Sequence, residues 1–195
     1  MGSEHYFEGT FHGHGHKIYN MFCDHSNYFQ GGLFGAVKIP GIVDSLVLIN
    51  PVVKARGMAG SFIGFMDDGN SGAAYLKYCL AINTRIEGGN GNNVGGLVGA
   101  TWPSNSNVYI ENCGVTGHIK GNYVGGLGGN ADRANYTNCY FAGTLNHTNS
   151  NYGSLCGYSG TVTNCYANIN AELHAENDEL TSHMLRLGIG QMLSY

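Results

Sequence analysis

Charge is scarce in this chain. Asp, Glu, Lys and Arg together make 11% of 195 residues, less than half the usual share. The nine Lys and Arg are scattered singly and the formal net charge is −4. No basic stripe can form to neutralise a phosphate backbone, so nucleic acid is excluded as a partner. No apolar run approaches twenty residues, which excludes a helical membrane span. The first residues, Met1-Gly2-Ser3-Glu4-His5, lack an apolar secretion segment. Met1-Gly2-Ser3 reads as an added tag, so that lack does not exclude export. No C-x-x-C pair stands among the six cysteines, which removes the commonest metal signature. Low charge alone would suit a disordered chain, but aromatics reach 11%, and disordered chains are poor in aromatics.

What is abundant is glycine, 32 residues, and it recurs in frames. These are Gly32-Leu33-Phe34-Gly35, Ser61-Phe62-Ile63-Gly64, Gly96-Leu97-Val98-Gly99, Gly126-Leu127-Gly128-Gly129 and Ser154-Leu155-Cys156-Gly157. Their first residues are spaced 29, 35, 30 and 28. A period near thirty signals a solenoid. A β-propeller blade needs about forty residues and four strands, which this period is too short to supply.

Each repeat also carries an alternating segment ending near a cysteine, as in Val108-Tyr109-Ile110-Glu111-Asn112-Cys113. Period-two alternation with β-branched and aromatic residues is the strand signal. A third short strand follows in segments such as Phe141-Ala142-Gly143-Thr144-Leu145. Three strands per coil, with Asn, Gly and Ser turns between them, predict an all-β, right-handed parallel β-helix. Stacked coils then bury one continuous column of inward residues. Each glycine frame is expected to permit a sharp bend or a close backbone approach.

Cys113, Cys139 and Cys165 are spaced 26 and 26, and each follows an asparagine. Same residue, same register, one coil apart predicts a stacked inward column, with Cys79 in the preceding coil and Leu48 before it. Buried thiols are the favoured reading. A disulfide is the alternative, because rungs about 4.8 Å apart fall within disulfide reach, although parallel stacked side chains meet its torsion poorly.

The boundaries are expected as follows. Residues 1–6 form a tag or extension, 7–171 the repeat domain, and 172–195 a capping segment. In the last, Leu180, Met184, Leu187 and Met192 recur at helical spacing after Asn177 or Asp178 as N-cap, predicting a short helical cap over the open end. Such a cap covers unpaired strand edges. Nothing comparable precedes Phe7, so the first coil either caps itself or continues from a longer solenoid.

Several segments resemble the GLUG repeat: Val94-Gly95-Gly96-Leu97-Val98-Gly99, Asn112-Cys113-Gly114-Val115-Thr116-Gly117, Tyr123-Val124-Gly125-Gly126-Leu127 and Asn138-Cys139-Tyr140-Phe141-Ala142-Gly143. The opening Phe7-Glu8-Gly9-Thr10-Phe11, followed by Gly13-His14-Gly15-His16-Lys17-Ile18, resembles the F-x-G-x-F-D-G-x-G-H-x-I stretch found before such repeats. His12 stands where that opening has Asp, and Ser61 and Ser154 replace the first glycine of the frame. The resemblance covers residues 7–170. It implies a β-helix stalk of bacterial surface or secreted proteins, adhesin-like, with no established catalytic residues to carry over.

Candidate sites sit where the chain departs from the repeat. His12, His14 and His16 alternate, and on an extended strand three imidazoles would share a face suited to a transition metal. The glycines between them suggest a bend, so an exposed or stacking turn is the favoured reading and the metal face the alternative. Asp67-Asp68, followed by Gly69-Asn70, offers oxygen ligands for calcium, against a plain solvated turn. Glycosidase chemistry needs a carboxylate pair across the scissile bond. Asp44, Glu87, Glu111 and Asp132 look dispersed, as do Arg85, Lys120 and Arg133. Tyr109, Tyr123, Tyr136 and Tyr140 would make a sugar-stacking platform wherever they face outward.

The sequence therefore predicts a non-catalytic structural or adhesion module at the cell surface or outside it, requiring no cofactor and presenting a neutral polar face to a host protein or glycan. The alternatives are a polysaccharide lyase or glycoside hydrolase on the same scaffold, and a subunit that self-associates end to end.

Overall fold

The computed structural model describes residues 6–38, 40–67, 72–89, 93–103, 107–148 and 152–169. The predicted helical cap at 172–195 lies outside the described residues. Among those described there is no helix, and none therefore that is long and apolar enough to cross a membrane.

The chain winds into a parallel β-solenoid of about five turns. Each turn visits four sheets in the same order, one more than the sequence predicts. Sheet 1 stacks Thr10–His12, Ile42–Asp44, Ala73–Lys77, Asn107–Glu111, Ala134–Thr137 and Thr161–Thr163. Sheet 2 is the longest face. It stacks Lys17–Tyr19 with Phe22–His25, Val47–Ile49 with Val52–Ala55, then Leu80–Gly88, Gly114–Gly121, Tyr140–His147 and Tyr166–Ile169. Sheet 3 is formed by Gln30–Gly31, Met58–Ala59, Asn93–Gly95, Tyr123–Gly125 and Tyr152–Gly153. Sheet 4 stacks Phe34–Lys38, Ile63–Asp67, Val98–Trp102, Gly128–Ala131 and Cys156–Tyr158.

The glycine frames combine the expected bend with the start of a strand, and straddle the corner between sheets 3 and 4. In Gly96-Leu97-Val98-Gly99 the first two residues bend and the last two begin sheet 4. Leu97, Leu127 and Phe62 point from this corner into the core with no exposed surface. The closing glycines Gly64, Gly99, Gly129 and Gly157 form one column, each laid against sheet 3 of the preceding coil. A Cβ on Gly99 would lie 2.6 Å from the Ala59 nitrogen, and one on Gly129 would lie 2.3 Å from the Val94 nitrogen. Real Cβ atoms do not come so close to backbone, so only glycine fits. Gly35 holds the same place in the first coil, where no earlier strand lies against it, and a Cβ there meets nothing within 4 Å. Ser61 keeps its place at the bend because its buried hydroxyl bonds the Thr84 hydroxyl at 2.9 Å.

The fourth frame carries glycine where the others carry an apolar residue, and the register shows why. Gly128 stacks between Val98 and Cys156. Facing it, Tyr136 replaces the smaller Ile110 and Leu76 of the inward column of sheet 1. A Cβ on Gly128 would lie 2.1 Å from the Tyr136 hydroxyl oxygen. Volume lost on one strand is filled from the other, as close packing requires. The Tyr136 hydroxyl is left buried with no hydrogen-bond partner among the described residues, at a cost of about 1–3 kcal/mol.

The corner between sheets 1 and 2 is made by a left-handed residue. Ser45, Tyr78, Asn112, Asn138 and Asn164 all have φ between 51° and 56°. Asparagine tolerates that region best among residues with a side chain, which accounts for the Asn-Cys step. The Asn138 amide donates to Asn112 at 3.1 Å, and the Asn164 amide to Asn138 at 3.4 Å. A second ladder, Asn20, Asn50 and Asn83, turns the middle of sheet 2 in the early coils at φ 54–55°, with amide bonds of 3.2 and 2.8 Å.

The residue after each corner points inward. Cys79, Cys113 and Cys139 are fully buried and Cys165 partly so. The column is therefore as expected except at its base. Leu80 pairs with Val47, so Leu46 precedes Cys79; Leu48 belongs to the neighbouring column. All six cysteines are free thiols, and the inner ones donate to backbone carbonyls, as Cys113 does to Glu111 at 3.2 Å.

Burial drives the Cys113 and Cys139 thiols well above the ordinary value of 9.0, and it pushes Cys156 up to about 12. Between these limits the unfolded chain is deprotonated while the folded chain keeps its protons. Each thiol therefore stabilises the fold fully below pH 9 and progressively less above it. Stability from urea unfolding should hold steady up to about pH 8.5 and then fall, by about 1.4 kcal/mol per pH unit for each of these three thiols while it stays protonated in the fold. A midpoint unchanged at pH 10.5 would contradict the buried column.

Candidate functional site

Residues that alternate along a strand share a face, so the register that buries one set stacks the other on the outside. On sheet 2 the outer rows are Phe22, Val52, Arg85, His118 and Thr144, and Asp24, Lys54, Glu87, Lys120 and Asn146. On sheet 1 one outer row is His12, Asp44, Lys77, Glu111, Thr137 and Thr163. Of the charges that look dispersed in the sequence, Asp44, Glu87, Glu111 and Lys120 thus fall into two ladders of alternating sign, whereas Asp132 and Arg133 lie in the turn between sheets 4 and 1 and Arg85 stacks between Val52 and His118. Like charges directly opposite would repel across a rung, and opposite charges attract.

The Lys120 ammonium donates to Glu87 Oε1 at 2.8 Å. That bond, first among several causes, holds the Glu87 carboxyl below its usual range. Asp24 is likewise lowered, chiefly by the Ser26 hydroxyl and also by Lys54. His12 Nδ1 lies 2.8 Å from Asp44 Oδ2. These pairs are exposed, so each contributes little stability alone. Their effect is to penalise a slipped register.

Around the upper rows of sheet 2 lies a recess of about 300 Å³, lined by Arg85, Glu87, His118, Lys120, Thr144 and Asn146 with the backbone of Ile86 and Ile119. His118 Nδ1 is 2.6 Å from the Thr144 hydroxyl, which fixes the ring of an exposed residue. Charged and polar side chains from three successive rungs meet here. Sequence reading names Arg85, Glu87 and Lys120 only as single charges and misses His118, Thr144 and Asn146. The signal was present. The 26-residue step from Cys113 to Cys139 also carries His118 to Thr144 and Lys120 to Asn146.

The other candidates fare differently. The histidine run does not lie on one strand. Thr10–His12 ends at His12, and a turn at His14 (φ 50°) and Gly15 (φ 75°) carries the chain around the corner to Lys17. His12 and His14 rings sit 5.8 Å apart, and the nearest carboxylate is already bonded to His12. Among the described residues no three His, Cys, Asp or Glu side chains gather as a metal site. Asp67 ends a sheet 4 strand with only its backbone described, and Asp68 lies outside the described residues. Of the tyrosines, Tyr136 and Tyr140 are buried, while Tyr109 and Tyr123 are half-buried. Tyr109 stacks on Tyr75 at 5.2 Å between ring centres, and Lys77 lies 4.8 Å over Tyr75, so those ring faces are largely occupied.

The ladder is testable. Glu87→Gln should cost less than about 1 kcal/mol, as exposed pairs do. Glu87→Lys stacks three cations, Lys54, residue 87 and Lys120, and should cost about 1 kcal/mol more than Glu87→Gln at low salt, the excess shrinking at 1 M salt. Equal melting temperatures for the two variants at low salt would show that the rows do not sense each other.

No family model matches the chain, and no curated protein matches it. Among solved structures it is similar to the crystal structure of a "putative immunoglobulin A1 protease" from Bacteroides ovatus, with a TM-score of 0.60 and 20% identity over 92% of this chain and 73% of that one. At that identity the likeness is one of fold: a bacterial protein winds through the same kind of β-solenoid.

Proposed function

We propose that this chain is a non-catalytic display or adhesion module of a secreted or surface-anchored bacterial protein, and that its outer faces bind a glycan or a host protein. The observation that supports this reading most is the charge alignment. On the described outer faces of sheets 1 and 2, Asp44 and Glu111 stand two rungs apart with Lys77 between them, and Glu87 stands between Lys54 and Lys120. A glycosidase needs two carboxylates facing one bond across open space, and here a cation occupies that space. The glycine corners, asparagine ladders and thiol column account for the repeat residues as scaffold, leaving the outer rows free to vary. The likeness to a bacterial solenoid and the GLUG-like segments agree with an extracellular stalk. What the similar protein's name says of proteolysis stays with that protein.

The reading is tested by glycan-array and host-protein binding set beside two turnover assays, reducing-end release from polysaccharides and cleavage of immunoglobulin A. Saturable binding with no turnover is the expected outcome. Release of reducing ends would establish the carbohydrate-active alternative, and cleavage would establish a protease.

A further inference from the structure

Within the recess on sheet 2 one group stands out. The Lys120 ammonium is taken by Glu87, and the His118 ring is fixed by Thr144. Arg85 is exposed. Its guanidinium has no ion-pair or hydrogen-bond partner among the described residues, and its only recorded interaction is the diffuse pull of Glu87. An unpaired guanidinium is a planar fork of five donors suited to a carboxylate. The recess carries two cations, Arg85 and Lys120, against the single carboxylate of Glu87, in a chain whose net charge is −4. It is thus locally positive on a negative molecule, which draws an anionic ligand.

The remaining lining sets the rest of the ligand. His118 Nε2, the Thr144 hydroxyl, the Asn146 amide and the free N–H groups of Lys120 offer donors and acceptors in two rows, about 7 Å apart along the strands. Such a surface fits a polyhydroxylated ring. It does not fit a peptide that binds by strand addition. Gly114–Gly121 is paired on both sides, by Leu80–Gly88 and Tyr140–His147, so no free edge remains for strand addition. The recess volume of about 300 Å³ is at the small end of ligand sites, enough for one sugar unit of a longer chain.

We propose that this recess is a binding site for an acidic saccharide, with the sugar carboxylate held by Arg85 and the ring hydroxyls by His118, Thr144 and Asn146. It rests on the adhesion reading above and gives it a ligand class and an address.

The test is titration calorimetry of the whole chain at low salt with four probes: oligogalacturonate, sialyllactose, carboxyl-reduced oligogalacturonate and poly-glutamate. At least one of the two carboxylated sugars should bind, and which of them does identifies the source of the carboxylate. Arg85→Gln should weaken that binding at least about 10-fold, the loss expected for a hydrogen bond to a charged group, without lowering the melting temperature. Lys77→Gln, which removes one positive charge from sheet 1, should leave it unchanged. Binding that survives carboxyl reduction, that poly-glutamate matches, or that Lys77→Gln weakens as much as Arg85→Gln would overturn the site. Glycan binding indifferent to Arg85→Gln overturns the site while the adhesion reading stands. If neither carboxylated sugar binds, the site is again overturned, and the array and host-protein binding then decide the adhesion reading independently.

Discussion

The fold depends on how closely two sheets can approach. At the corner between sheets 3 and 4 of every coil after the first, a glycine lies against the backbone of the coil before it. No side chain fits between them. That contact sets the pitch of the corner, and the pitch sets the register of every other column. Once it is fixed, the inward residues of successive coils must stack on one another, and so must the outward ones. The thiol column, the asparagine ladders and the alternating charges are consequences of one stacking rule acting on different positions.

Stacking has a cost at each face, and the chain meets it with different chemistry each time. In the core, volume must be conserved from rung to rung, and Gly128 against Tyr136 shows the exchange being made. At the tight corner between sheets 1 and 2, the backbone must enter the left-handed region, and asparagine takes most of those places. Tyr78 is the bulky exception at φ 53°, in a region that is costly for such a side chain. On the outer faces, like charges would stack and repel, so the sign alternates or the charge disappears into Thr and Asn. Scarcity of charge is therefore a property of the architecture. A residue that keeps a charge without a stacked partner, as Arg85 does, is correspondingly informative.

Much of this was legible in the sequence, and the reasons for the rest are physical. The period and the Asn-Cys step gave the solenoid and its thiol column because both recur at nearly fixed spacing. The four-sheet cross-section was hidden because the strands of sheet 3 are only two or three residues long, too short to show alternation. The bend is legible in the glycines of the frame, but where the strand begins is not, because the apolar pair is divided between the bend and sheet 4. Leu48 was placed in the wrong column because the step from coil to coil differs along the chain, 33 residues from Leu46 to Cys79 and 26 from Cys113 to Cys139. Glu87 stands 33 residues from both Lys54 and Lys120, but the bulge between Ala81 and Thr84 puts that step one residue out of line with the 34 from Cys79 to Cys113, which hides the alignment. The turn in the histidine run is legible from its glycines, although the alternation of His12, His14 and His16 also fits a strand.

The central claim is that glycine at the corner is required by the neighbouring coil and by nothing within its own. Gly99 and Gly35 occupy the same place in the repeat, and only Gly99 has a strand laid against it. Thermal unfolding of Gly99→Ala and Gly35→Ala compares them directly. Gly99→Ala should lose about 2–3 kcal/mol or more, as overpacking does, and melt roughly 5–10 °C lower for a chain of this size. Gly35→Ala should stay within about 0.5 kcal/mol of the parent. Equal losses in the two variants would place the requirement in the local turn and contradict the account.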